Sequence, residues 1–242
     1  MAVRDARRAG DTWNSQQLAE RISPVNPKFA AGNAPIKLYR NPLSGHCHRV
    51  ELMMGLLGLP YEPVDLDMFK GAHKAPEYLK LNPLGQVPTI DDNGTILSDS
   101  NAIIVYLSLK YSDGYDWMPS DPVEAAEVQR WLSIAAGEIA GGPCAVRLVK
   151  LFGLPFDYDA AHRKTLDLFA VLEPLLAARD YLAGHRITLA DVAGYSYIAH
   201  VPEGGVSLQP YPAIRAWLDR VEAQPRFVGM PRSALPDETV SA

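Results

Sequence analysis

Apolar and polar residues alternate along Ile36-Lys-Leu-Tyr-Arg40, the two-residue period of a strand with one buried face. Asn41-Pro-Leu-Ser-Gly45 interrupts that pattern. From Cys47 to Leu57 the residues Val50, Leu52, Met53, Met54, Leu56 and Leu57 predict a buried helix, stopped by Gly58 and Pro60. Tyr61 to Asp67 reads as a second strand, at an edge because of Pro63. Pro76 to Lys80 predicts a short helix with proline in its first turn. Asn82-Pro-Leu-Gly85 is a turn, and Val87 to Asp91 pairs with Thr95 to Leu97 as a hairpin around Asp92-Asn93-Gly94. Asp99 to Tyr111 is helical, with Ala102, Ile103, Val105, Tyr106 and Leu109 as its apolar residues.

The order is β-α-β-α-β-β-α. A helix joins the first two strands, which implies a parallel pair with a right-handed crossover; the last two form an antiparallel hairpin. This is the thioredoxin-like α/β arrangement. Ser112 to Asp116 and Pro119 to Pro122 mark a linker, and beyond it only helices are read. Pro122 to Lys150 is one long stretch, bent at Gly141-Gly-Pro143. Tyr158 to Arg179 is another. Thr188-Leu-Ala-Asp191 forms a capping box, with Ile187 as its hydrophobic staple, and starts a helix running to about Val201. Tyr211 to Gln224 is the last helix. The expected division is an extension (1–34), an α/β domain (35–112), a linker (113–121), an all-helical domain (122–228) and a tail (229–242).

Composition narrows the classes. Hydrophobic residues make up 48% and charged residues 21%, enough apolar surface to exclude a disordered chain. The net charge of −5 argues against an extended nucleic-acid surface, which needs a clustered basic excess. No uninterrupted apolar run approaches the ~18 residues of a membrane span, so no membrane partner is expected. Two cysteines, Cys47 and Cys144, cannot build a disulfide framework, which favours a reducing cytoplasm. Residues 1–34 carry Arg4, Arg7 and Arg8 without the apolar core of a secretory signal, and Asp5, Asp11 and Glu20 argue against a transit peptide. They read as a solvated, poorly ordered extension or as an early start codon.

Three places carry candidate chemistry. Ser44 stands where the first strand enters the first helix, whose unpaired N–H groups and partial positive charge stabilise an anion. Its hydroxyl either donates to such an anion or caps the helix. In Gly85-Gln-Val-Pro88, a cis Val87–Pro88 bond would turn the Val87 backbone outward toward an extended peptide, whereas a trans bond would make Pro88 an ordinary strand end. At Ser98-Asp99-Ser100, Ser100 and the helix N–H groups suit a carboxylate and Asp99 an ammonium, the two charges of an α-amino acid; plain N-capping satisfies the same trio.

These motifs occur in order, with His73-Lys74 between the first two, and together the chain resembles a glutathione S-transferase over about residues 36–228. Ser44 followed by Arg49-Val50 looks like the serine-type classes. Gly71-Ala-His-Lys-Ala-Pro-Glu-Tyr-Leu, Asn82-Pro-Leu-Gly-Gln-Val-Pro-Thr-Ile and Asp99-Ser-Asn-Ala-Ile look closest to phi-like and bacterial-type members. The resemblance implies the two-domain glutathione transferase fold, a homodimer, and cytoplasmic detoxification chemistry. It implies glutathione as co-substrate and a small electrophile as second substrate. Ser44 would hold the glutathione sulfur as thiolate. His73 and Lys74 would meet the glycine end, Gln86 the backbone or γ-glutamyl portion, Val87 the cysteinyl backbone, and Asp99 and Ser100 the γ-glutamyl head. The second-substrate pocket would be apolar, with Leu43, His46, Trp131 and Ala135 as its expected lining.

Some positions depart from the family pattern or leave alternatives. Asp99 stands where many members carry Glu, one methylene longer. Tyr39 is expected in the core, the tyrosine position of the tyrosine-type classes falling at Arg40. Cys47, near the helix start, keeps a thiol reductase open; isomerase, peroxidase and dehalogenase activities, or a non-catalytic interaction module, would fit the same scaffold. His46-Cys47-His48 lacks a companion cluster, so no metal is expected. His48 packs or faces solvent, and His162, His185 and His200 are read as structural.

Overall fold

The computed structural model of the chain describes residues 26–29 and 34–233. The alternation at the start is realised in β1 (Ile36–Arg40), which buries Ile36 and Leu38 and exposes Lys37. β1 pairs in parallel with β2 (Tyr61–Asp65), two residues shorter than predicted, and antiparallel with β3 (Thr89–Asp92). β3 returns to β4 (Thr95–Ser98) through Asn93 and Gly94, both at positive φ as a tight hairpin demands. The order β2-β1-β3-β4 leaves β2 and its Pro63 at an edge. Pro88 lies before β3 rather than inside it, and the Val87–Pro88 peptide is cis. The helices α1 (Gly45–Leu57) and α3 (Ser100–Tyr111) pack together and join the sheet in one core, with Val50, Met53, Ile103 and Leu107 among the buried residues. The short α2 (Pro76–Leu79) precedes the turn to β3.

The expected extension over 1–34 falls mostly outside the described residues, as does the tail beyond 233. At residues 26–29 the expectation of solvated chain is corrected: Asn26 and Phe29 are buried. The Asn26 side-chain amide donates to the carbonyls of Leu57 (2.7 Å) and Tyr111 (2.9 Å), the last residues of α1 and α3. A helix ends with carbonyls that have no partner in the helix, and one amide here serves two such ends. Arg and Gly density along the sequence carries no trace of this contact.

Past Trp117 the chain is helical. Asp121 accepts from the backbone of Val123 and Glu124 and starts α4 (Pro122–Ile134). The helix then continues through a π-helical segment, Ala135–Cys144, into α5 (Ala145–Phe152). The bend predicted at Gly141-Gly142-Pro143 is thus a widened turn. Pro143 offers no N–H and its ring crowds the carbonyl four residues back; the π geometry absorbs both. Gly142 lets α6 (Tyr158–Ala178) approach, since a Cβ there would sit 3.1 Å from the Thr165 hydroxyl. By length and composition Pro122–Phe152 would suffice to cross a bilayer, but half of its most apolar stretch is buried within the fold.

Every residue of α7 (Leu189–Ala199) is buried. Its start is the predicted capping box of Thr188 and Asp191, and Asp191 also accepts from the Leu182 backbone and from Trp217 on α8 (Pro212–Glu222). α7 packs on α1 as well as on α4, so it ties the helical half to the sheet half. The ties are polar: Ser196 bonds His48 Nδ1 at 2.9 Å, and the Ala193 carbonyl accepts from Arg49 at 2.7 Å. His48 is therefore packed, not solvent-facing, and its Nε2 donates to the Val228 carbonyl of the chain's returning end.

Candidate active site

A cleft of about 680 Å³ lies between the two halves. Leu43, Ser44, His46, His73, Lys74, Gln86, Val87, Asp99 and Ser100, nine of the residues singled out in the sequence, line it. The sheet and α1 deliver them from three loops at one end of the strands.

Ser44 is both cap and cleft residue. Its Oγ accepts from the Cys47 backbone N–H (3.4 Å) and its carbonyl from His48 (2.9 Å). Among the described residues the acceptor within reach of its hydroxyl proton is the Cys47 sulfur, a weak one, so the O–H can turn to a stronger acceptor on a ligand. The neighbouring N–H, that of His46, donates to the Tyr197 hydroxyl at 3.3 Å. Gly45 permits this meeting, because a Cβ would lie 2.7 Å from the Tyr197 ring.

Asp99 caps α3 by accepting from Ala102 (2.9 Å) and sits at φ 71°, a left-handed conformation that costs a side-chain-bearing residue about 1–3 kcal/mol. Ser100 is buried; its hydroxyl accepts from Arg49 Nη1 (2.8 Å) and lies 3.3 Å from His46 Nδ1. Arg49 also donates to Asn101 (2.8 Å). Burial brings the Arg49 guanidinium down to about 10. Burial, and then the Arg49 charge, bring His46 to about 3, so the imidazole facing the cleft is neutral.

His73 and Lys74 sit in a single 3-10 turn, Ala72–Lys74. Lys74 donates to the Leu84 carbonyl at 2.9 Å, and His73 Nδ1 is buried without a hydrogen-bond partner. Gly85 holds this turn against Gln86 and Val87: it is at φ 58°, and a Cβ would lie 2.7 Å from the His73 carbonyl. The Gln86 carbonyl is taken by Tyr78 (2.6 Å) and Asn82 (2.8 Å), which fixes the peptide ahead of Val87.

Three expectations need correction. Trp131 and Ala135 do not line the cleft; both are buried, Trp131 donating to Glu127 at 3.1 Å. The helix face that carries them, spanning the end of α4 and the start of the π-helical segment, belongs to the core against α7. Cys47 is a wholly buried thiol that accepts from the Asn41 N–H, and burial pushes it up to about 12, the opposite of an activated nucleophile. Tyr39 is half-buried beside Tyr78 and lies off the cleft, while Arg40 is paired with Glu51 and Asp65. Among the described residues no group of three or more His, Cys, Asp or Glu side chains gathers where it could hold a metal ion.

The helical wall comes instead from Cys144, Leu148 and Phe152, spaced at i, i+4 along one helix face, with Arg147, Leu154 and Tyr197. Phe69 and Met68, after β2, face it, and the Phe69 ring lies 6.0 Å from that of Phe152.

Comparison with known proteins adds a second line. Residues 43–109 match the family described as glutathione S-transferase, N-terminal domain, and residues 155–225 its C-terminal domain. The chain is similar to glutathione S-transferase 3 of Zea mays, 35% identical over 80% of this chain and 92% of that one. It is also similar to a crystal structure of a glutathione S-transferase from Pseudomonas fluorescens, 34% identical, TM-score 0.76, covering 81% of this chain and 99% of that one. A glutathione transferase homologue from Drosophila mojavensis, crystallised with bound glutathione, is 27% identical with TM-score 0.72, covering 79% and 89%.

Proposed function

The chain belongs to the glutathione S-transferase family, and from that premise we propose that Ser44 donates a hydrogen bond to the glutathione sulfur and holds it as the thiolate that attacks an electrophilic carbon. The protein is a glutathione transferase. The assignment of Ser44 rests on one observation: its hydroxyl stands at the first turn of α1, inside the cleft.

A free thiol has pKa ~8.5, so only a few per cent is thiolate at neutral pH. Each unit of depression corresponds to ~1.4 kcal/mol in favour of the anion. A hydroxyl donor and a helix N-terminus are sources of about one or two units. Ser44 acts here as an anion stabiliser and not as a nucleophile.

The other lining residues fit the rest of the tripeptide. Asp99 keeps one carboxylate oxygen beyond its capping bond for the γ-glutamyl ammonium, and the start of α3 with Ser100 suits the adjoining carboxylate. The unpartnered His73 Nδ1 and the Lys74 cation suit the glycine carboxylate. Gln86 and the Val87 backbone would take the peptide. Leu43, Leu148, Phe152 and Phe69 form the apolar side for a small electrophile. The family supports a cytoplasmic homodimer acting in detoxification, with light scattering as the check on assembly.

Retention on immobilised glutathione and conjugation of an aryl halide test the reading. Ser44→Ala is expected to raise the pKa of the bound thiol by about one to two units and to lower kcat/KM at neutral pH about 10- to 100-fold. A bound thiol that ionises as in plain buffer in the unaltered enzyme would remove Ser44 from this role.

A further inference from the structure

Arg147 belongs to the helical wall, yet its guanidinium reaches the loop that carries Ser44. Its Nη1 donates to the Leu43 carbonyl at 2.7 Å, and that carbonyl is half of the peptide bond leading into Ser44. On the other side, Nε donates to Glu203 Oε2 at 2.5 Å. Glu203 Oε1 accepts from His200 Nδ1 (2.7 Å) and from the Ser233 backbone (3.1 Å). Arg147, His200 and Glu203 are all buried, and Arg147 Nη2 has no hydrogen-bond partner among the described residues.

A buried ion pair is a weak source of net stability, since apolar residues of similar volume serve as well or better. A guanidinium left with an unused donor is weaker still on that ground. What Arg147 does supply is rigidity at one carbonyl. The planar fork is held by Glu203 and in turn holds the Leu43–Ser44 peptide from across the cleft. The Ser44 N–H donates to Asn41 (3.0 Å), so the peptide is gripped at both its oxygen and its nitrogen. Hydrogen-bond strength falls steeply with misalignment, so the aim of the Ser44 O–H depends on that grip.

We infer that Arg147 is a positioning residue for the reaction: it clamps the Leu43–Ser44 peptide and so aims the Ser44 hydroxyl at the glutathione sulfur, with Glu203 and His200 fixing the guanidinium. The inference rests on the proposed role of Ser44. The titratable groups around the same loop, His46, Arg49, Cys47, Cys144 and Tyr197, are unchanged in every variant that follows.

The test reads the apparent pKa of the bound glutathione thiol, from thiolate absorbance and from the pH profile of kcat/KM. It compares wild type, Arg147→Lys, Ser44→Ala and Ser44→Ala/Arg147→Lys. Arg147→Lys is expected to raise the thiol pKa by about half to one unit and to lower kcat/KM at neutral pH about three- to tenfold, with the KM for glutathione within about twofold. In the Ser44→Ala background the same change should have no further effect on the thiol, because Arg147 acts through Ser44. If Arg147→Lys fails to fold, Arg147→Met/Glu203→Gln, which leaves no unpaired buried charge, carries the comparison.

A folded variant with an unchanged thiol pKa, alongside a raised one in Ser44→Ala, overturns the clamp and leaves the Ser44 reading standing. An equal shift with and without Ser44 also overturns it, since the guanidinium would then act directly on the sulfur. An unchanged thiol in Ser44→Ala removes both.

Discussion

The Tyr197 hydroxyl accepts a hydrogen bond from the His46 backbone N–H at 3.3 Å, so a side chain of α7 occupies the first turn of α1. The two halves of the chain meet at the very turn where the thiolate is proposed to sit. Tyr197→Phe leaves that N–H without its partner and should cost about 1–3 kcal/mol. Gly45→Ala places a methyl against the Tyr197 ring and should cost a similar amount, about 1–3 kcal/mol. Denaturant unfolding of both variants and of their combination checks this. The double variant should lose less than the sum, because both act at one contact.

Cys47→Ala should retain wild-type conjugation within about twofold and lose roughly 1–2 kcal/mol of stability, the cost of a small core truncation. The paired measurement is aryl-halide turnover and unfolding midpoint on one preparation. A folded variant without activity would show that the thiol takes part in the chemistry.

Asp99 holds a strained backbone and a proposed ligand charge at once. In Asp99→Gly the left-handed conformation becomes free, and the lost cap costs only a few tenths of a kcal/mol. Thermal stability should hold or rise while the KM for glutathione increases about tenfold or more, the scale of a charge-assisted hydrogen bond. Asp99→Asn keeps the cap and tolerates positive φ, so it isolates the charge. An unaltered KM in Asp99→Asn would separate the carboxylate from the ammonium.

Acid should unfold this protein early. Burial lowers His46 to about 3 and His48 to about 4, and it also lowers His200. Unfolded imidazoles titrate near 6.5, so below that pH the unfolded chain binds protons that the native chain refuses. Stability therefore rises with pH in this window and falls on acidification, by about 1 kcal/mol per unit for each such histidine. Unfolding free energies between pH 7 and 5, a range above most carboxylate titration, measure the slope. His46→Asn should shallow it.

Elements of both halves were readable where their signals are local. The period of β1, the Asn93-Gly94 turn and the Thr188–Asp191 box each lie within a few residues. Ser44 and Asp99 were readable for the same reason, since each stands at an element boundary, whereas His73 and Lys74 came only with the family resemblance. Trp131 and Ala135 were misplaced because helix rotation is set by what packs on it, and a core stripe and a pocket stripe are written in the same apolar residues. Cys144, Leu148 and Phe152 share a helix face by their spacing, but nothing near them in sequence says which void they border. The Arg147–Glu203 pair spans 56 positions and the Asn26–Tyr111 bond 85, separations at which no pattern along the chain survives.

That last bond gives residues before the first strand an architectural duty. Asn26 is the common terminus of two helices, in the way a single pin can hold two cords. A polypeptide trimmed to begin at Ala34 would retain every strand and helix of the sheet half, yet both helix tails would turn to solvent and loosen together. Trimming for crystallisation or display should therefore stop short of this asparagine.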